Sequence, residues 1–161
     1  MSKKKVLLVV DLQKQFADGN DNVSCENIVS YIKDNEKDYD YVIVTIFSQE
    51  IYGYKNDLFS DKLHWDECVS CGVDDLLIGT NKKLVLLKNS YGITLKGILE
   101  REDITIDLVG CNADASILAI CFRLWDNQYD FRVLSDYIYS KNTDKGALVS
   151  LLKRNFGDCV V

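Results

Sequence analysis

Three residues of this 161-residue chain combine a reactive side chain with a telling position. Asp11 stands near the end of the apolar run 5–12, Lys88 closes the run 84–88, and Ser116 follows the run 104–109 across a short turn. The stretch Asp107-Leu-Val-Gly-Cys-Asn-Ala-Asp-Ala-Ser116 reads as a strand ending at Gly110, a tight turn, and a helix beginning near Asp114. Backbone N–H groups at a helix start lack partners and favour negative charge, so an oxyanion or carboxylate can sit there. Ser116 falls in that first helical turn, where a nucleophile or oxyanion donor would stand. An acid, an amine and a hydroxyl meeting in one crevice could move a proton and hold a developing negative charge. Strand-turn-helix junctions occur in any α/β protein, so this pattern alone assigns no reaction.

The elements that must position these residues alternate. Residues 5–12 form a continuous apolar run of strand length, the mark of a strand covered on both faces. A loop over 17–22 leads to a helix over about 23–35, with Ile28, Val29 and Ile32 on one face. Residues 41–47 give a second buried strand, 84–88 a third, and a short helix carries Leu95, Ile98 and Leu99. A fourth strand covers 104–109, and the helix after Ser116 reaches about residue 127. A fifth strand covers 131–135, a last helix about 143–155, and Val160 with Val161 begin a sixth, edge strand. Alternating strands and helices make right-handed βαβ units. The expected fold is therefore a single three-layer, doubly wound (Rossmann-like) α/β domain over residues 1–161. Its sheet is mostly parallel, five- or six-stranded, with helices on both faces. Ligands of such sheets bind beyond the carboxyl ends of the strands, near the topological switch point. The polar residues expected there are Asp11, Lys88, the 110–116 turn and Asp136.

Composition narrows the partners. A net charge of −6 argues against a nucleic-acid surface, since phosphate binding needs clustered Lys and Arg. The basic cluster Lys3-Lys4-Lys5 precedes a strand and reads as a solvated end. No apolar run approaches the ~18 residues of a membrane span, and the short run 6–10 is unlike a signal peptide. A cytoplasmic protein is expected, with its six cysteines reduced.

Four segments carry a family resemblance: Val9-Val-Asp-Leu-Gln13 with Phe16, Lys88-Asn-Ser-Tyr-Gly92, Gly110-x-x-x-Asp114-x-Ser116, and Val133-Leu-Ser-Asp136. In this order and spacing the chain resembles the isochorismatase-like hydrolases, the superfamily of nicotinamidases and related cysteine hydrolases. The resemblance covers nearly the whole chain. In the amidase branch the place of Ser116 holds a nucleophilic cysteine. The resemblance implies that the acid takes its proton, that the lysine completes the triad, and that backbone N–H groups near Asn112 and Ser116 form the oxyanion hole. It also implies a cis peptide after the glycine, at Cys111–Asn112.

The serine changes the chemistry. A hydroxyl is a poorer nucleophile than a thiol near neutral pH, and Asp is a weak base for it. Covalent amide hydrolysis through Ser116 is not expected, and Cys111 and Cys121, on the turn and further along the helix, read as core cysteines. True isochorismatases also lack the cysteine; there the acid matching Asp11 protonates a vinyl ether and water completes the cleavage. That chemistry needs an acid with a raised pKa in a dry pocket. The expectation is a hydrolase acting on a small-molecule substrate, with Asp11 as general acid or base, Lys88 as its charge partner and water as nucleophile. Asn112, Gln13, Phe16 and Tyr91 are the expected binding residues, Phe16 and Tyr91 as walls. The alternative is a catalytically silent family member that serves as a binding or assembly protein, with the Asp11–Lys88 pair kept for structure.

The remaining signals are weaker. Nicotinamidases bind a metal through Asp-x-His and a further His, whereas the matching loop 48–54 has no histidine and the chain has only His64. Neither a metal nor any other cofactor is expected. Cys68-Val-Ser-Cys71 has redox spacing but does not clearly follow a strand and open a helix, so a redox role is not expected. Tyr52, Tyr54, Phe59 and Trp65, in the long loop 48–66, could wall a pocket or form an interface. A homo-oligomer is expected.

Overall fold

The computed structural model describes residues 3–13, 16, 22–47, 83–88, 90–96, 99, 104–141 and 143–161, excepting the side chains of 22–25 and 87. The aromatic loop, His64, Cys68 and Cys71 lie outside the described residues. Five parallel strands form one sheet: β1 (Lys4–Val10), β2 (Tyr41–Phe47), β3 (Lys83–Lys88), β4 (Ile104–Cys111) and β5 (Asp130–Tyr139). Their spatial order is β3-β2-β1-β4-β5. The chain thus builds outward from β1 in one direction, then crosses over and builds outward in the other. The switch point lies between β1 and β4.

Apolar runs make these strands because both faces are covered. Alternate β1 residues point oppositely: Leu7 and Val9 face helix α1 (Asn22–Asn35) through Ile28 and Ile32. Val6, Leu8 and Val10 face helices α2 (Leu118–Asp126) and α3 (Lys145–Phe156) through Ile120, Leu124, Leu148 and Leu152. All five of those β1 residues are completely buried. Three layers result, as the periodicity predicts. Asp144 caps α3, its side chain accepting from the Ala147 N–H at 3.0 Å.

The largest differences from the sequence reading lie at β5, at the chain's last residues and at the turn after β4. β5 continues to Tyr139 because the ladder slips: Val133 pairs with Leu108, but Ile138 pairs with Gly110. Residues between them bulge, so Asp136 sits exposed within the strand rather than at its end. The Asp136 carbonyl accepts from Lys145 Nζ at 2.9 Å. The expected sixth strand is a single parallel bridge, Val133 to Val160. Further, the helix after β4 opens with a π-helical turn, Ala113–Ile117, in which the Ile117 N–H reaches back to the Asn112 carbonyl at 3.1 Å.

Candidate active site

Asp11 leaves β1 in a left-handed conformation, φ 42°, which Asp tolerates better than most residues. That turn aims its carboxylate back over the sheet rim. Thr45 of β2 holds it twice: the Asp11 N–H donates to Thr45 Oγ1 at 3.0 Å, and the Thr45 hydroxyl donates to Asp11 Oδ1 at 2.6 Å. Gln13 locks the next residues, donating through Nε2 to the Phe47 carbonyl at 3.1 Å and accepting from the Phe47 N–H at 2.7 Å. Its amide is thereby committed to the end of β2.

Lys88 comes from β3, two strands away from β1. Strands lie about 4.8 Å apart, so some 10 Å separate the two chain paths. A long, flexible cationic stem is needed to span that gap. Lys88 does so across Phe47, with Nζ 5.2 Å from the ring centroid, and meets Asp11 Oδ2 at 2.6 Å. The same ammonium group donates to the Ser90 carbonyl at 2.9 Å, the Tyr91 carbonyl at 3.2 Å and Ser116 Oγ at 3.2 Å.

Ser116 arrives from the other side of the switch point. Gly110 pairs with Val10 at positive φ (121°), and a Cβ there would stand 2.1 Å from the Val10 carbonyl oxygen. Only glycine lets β4 approach β1 this closely, and the closeness brings the following turn against Asp11. The Cys111–Asn112 peptide is cis, at the position the resemblance implies. Asp114 ties the turn down by accepting from the Ser140 hydroxyl and from Thr143 Oγ1, the latter at 2.6 Å.

The three far-apart side chains therefore meet, in direct contact, at one rim of the sheet. Asp11 and Ser116 are 1% and 5% exposed, and Lys88 is 7% exposed. Burial pushes the Asp11 carboxyl above its ordinary value of 3.8, and the Lys88 ammonium with the Ser116 and Thr45 hydroxyls pulls it back only in part. Burial likewise lowers Lys88, against the pull of Asp11. A neutral, proton-carrying Asp11 is thus easier to reach here than in water.

The other expected residues take varied places. Asn112 lies at the start of the turn, its carbonyl accepting from Ala115 and Ile117, each at 3.1 Å, while its buried Oδ1 has no partner among the described residues. Phe16 is half-buried against the α1-side core. Tyr91 is 42% exposed, its ring tilted toward Phe47 at 6.5 Å. Cys111 and Cys121 are fully buried core residues, and burial pushes the Cys121 thiol up to about 12. Thr45, which holds Asp11, is not singled out by the sequence; Asp114 is, within Gly110-x-x-x-Asp114-x-Ser116, but without its partners. A lone hydroxyl inside the apolar run 41–47 was the available signal for Thr45; nothing in the sequence pointed to the partners of Asp114.

This fold is similar to the folds of several solved hydrolases. A nicotinamidase from Bacillus subtilis superposes with a TM-score of 0.76 at 17% identity, over 98% of this chain and 99% of that one. An N-carbamoylsarcosine amidase from Thermoplasma acidophilum gives 0.73 at 19% identity, covering 96% and 93%. An isochorismatase-like hydrolase from Alkaliphilus metalliredigens gives 0.72 at 17%, covering 94% and 91%. At such identities the likeness is one of fold. No protein-family model and no curated protein matches the chain by sequence.

Proposed function

We propose that the protein is a hydrolase of a small metabolite, cleaving an amide C–N or vinyl-ether bond with Asp11 as general acid/base and water as nucleophile. The observation that carries this reading is the buried contact of Asp11 Oδ2 with Lys88 Nζ at 2.6 Å, beside Ser116 Oγ. A carboxyl whose pKa burial raises gives up a proton at a higher pH than an exposed one and can deliver it to the leaving group or the vinyl carbon. Water then attacks the activated carbon, and the carboxylate recovers a proton from that water. Lys88 limits the cost of the anion formed between these steps. Amides of the 112–116 turn are the proposed oxyanion donors, with Asn112 alongside. Phe16 and Tyr91 are proposed as pocket walls, Gln13 as a positioning residue that holds the Asp11 loop on β2. Ser116 contributes a polar contact rather than a covalent bond.

One observation favours a second reading, a binding protein without turnover. The three hydrogens of the Lys88 ammonium face four protein acceptors, so the lysine is saturated without any ligand. A panel of amides, vinyl ethers and esters, assayed with wild type and Asp11→Asn, separates the two. The hydrolase reading predicts turnover that falls at least ~100-fold in Asp11→Asn. Where Asp11 acts as acid, the rate should decline as pH rises through its raised pKa. Silence of both proteins across the panel supports the binder, and equal turnover in both removes Asp11 from the chemistry.

A further inference from the structure

A cavity of about 710 Å³ opens beside the Asp11 centre, between the segment 90–96 and helix α2. Lys88, Ser90, Asn127 and Tyr129 are among the residues that line it. Leu95 and Leu124, at 3% and 2% exposure, give it buried apolar lining. Besides Lys88, two further cations, Lys96 and Arg123, belong to the lining. The chain has 25 acidic against 19 basic residues, and Lys3, Lys83, Lys88 and Arg132 all pair with acids. Neither Lys96 nor Arg123 makes an ion pair among the described residues. The Arg123 stem instead folds against Gly92, where a Cβ would stand 3.4 Å from its Cγ and 3.8 Å from its Nε.

Buried apolar side chains lining one cavity with a guanidinium and an ammonium that make no ion pair among the described residues suit a ligand with a greasy body and one anionic end. We propose that this cavity binds a small apolar organic anion, a carboxylate or a phosphate ester, with Arg123 holding the charge. Arg123 follows Ser116 by seven residues, about 10 Å at the helical rise. A ligand anchored on Arg123 therefore reaches the Asp11 centre when its anion lies roughly that far from the bond to be cleaved. This last link rests on the hydrolase reading; the anion site itself does not.

Binding alone tests the site, so its failure and the failure of the hydrolase reading are told apart. The probes are 2-naphthoate and its neutral counterpart 2-naphthalenemethanol, titrated into the ¹⁵N-labelled full chain. Amide shifts are expected to cluster at residues 92–96 and 119–127, with the naphthoate bound roughly tenfold or more tighter than the alcohol. Arg123→Gln, at an exposed position, should abolish that preference, whereas the control Lys153→Gln should keep it. Added salt should weaken the naphthoate and not the alcohol, and a phosphate monoester of 2-naphthol competing better than naphthoate would assign the anion as phosphate. Equal affinity for acid and alcohol, unchanged preference in Arg123→Gln, absence of saturable binding, or shifts confined to other surfaces would each overturn the proposal.

Discussion

Lys88→Met should lose about 3–5 kcal/mol of stability in urea denaturation, because it strands the Asp11 carboxylate in a site that excludes water. Asp11 has 1% side-chain exposure and Lys88 6%, so neither charge can recover hydration by a small shift. The carboxylate would keep only the Thr45 and Ser116 hydroxyls, and the Ser90 and Tyr91 carbonyls would lose their shared donor. Asp11→Asn strands the ammonium instead and should also destabilise. The double variant Asp11→Asn/Lys88→Met removes both charges and should cost less than the two single losses added together, by about 1–3 kcal/mol. Strict additivity would mean that the two side chains do not depend on one another, and the site would lose its electrostatic basis.

The second large effect lies at Gly110. Gly110→Ala should destabilise by about 4 kcal/mol or more, or prevent folding, since the added carbon overlaps the Val10 backbone and the φ of 121° already disfavours it. Gly157 provides the comparison. Its φ is also positive, 54°, but a Cβ there meets nothing within 4 Å. Gly157→Ala should therefore cost only the backbone strain, about 1–3 kcal/mol. Near-native stability for Gly110→Ala would show that β1 and β4 can separate at the rim. The close approach that brings Ser116 to Asp11 would then not be fixed by the backbone.

Much of the frame was legible because burial on two faces writes itself as uninterrupted apolar residues. The strand 41–47 was read with its observed bounds, and Ile28 and Ile32 were placed on the buried face of α1. β5 was cut short because Ser135 and Asp136 look like a strand end; the bulge that carries them depends on pairing with β4, which one strand's sequence does not contain. The π-helical turn reads in the sequence as ordinary helix, since one extra residue in a turn leaves the apolar pattern nearly unchanged. Convergence of Asp11, Lys88 and Ser116 followed from strand ends and topology. What holds them did not: the Thr45 and Asp114 bonds cross 34, 26 and 29 residues, distances at which no local pattern operates. Asp107 makes the same point within β4. It sits in an apolar run yet is buried, because Arg132 pairs with it bidentately at 2.8 Å and the Tyr39 hydroxyl donates to it at 2.8 Å.

The Asp11–Lys88 pair should set the electrostatics of any group at position 116, beside which the water nucleophile is placed. Ser116→Cys puts a thiol there, and its alkylation by iodoacetamide at pH 7 can be followed site by site by mass spectrometry. The Lys88 ammonium, 3.2 Å from the present hydroxyl, should favour the thiolate. The new thiol should therefore react faster than Cys121, and Lys88→Met in the same background should slow it. A thiol at 116 that reacts no faster than buried Cys121, with or without Lys88, would contradict the account.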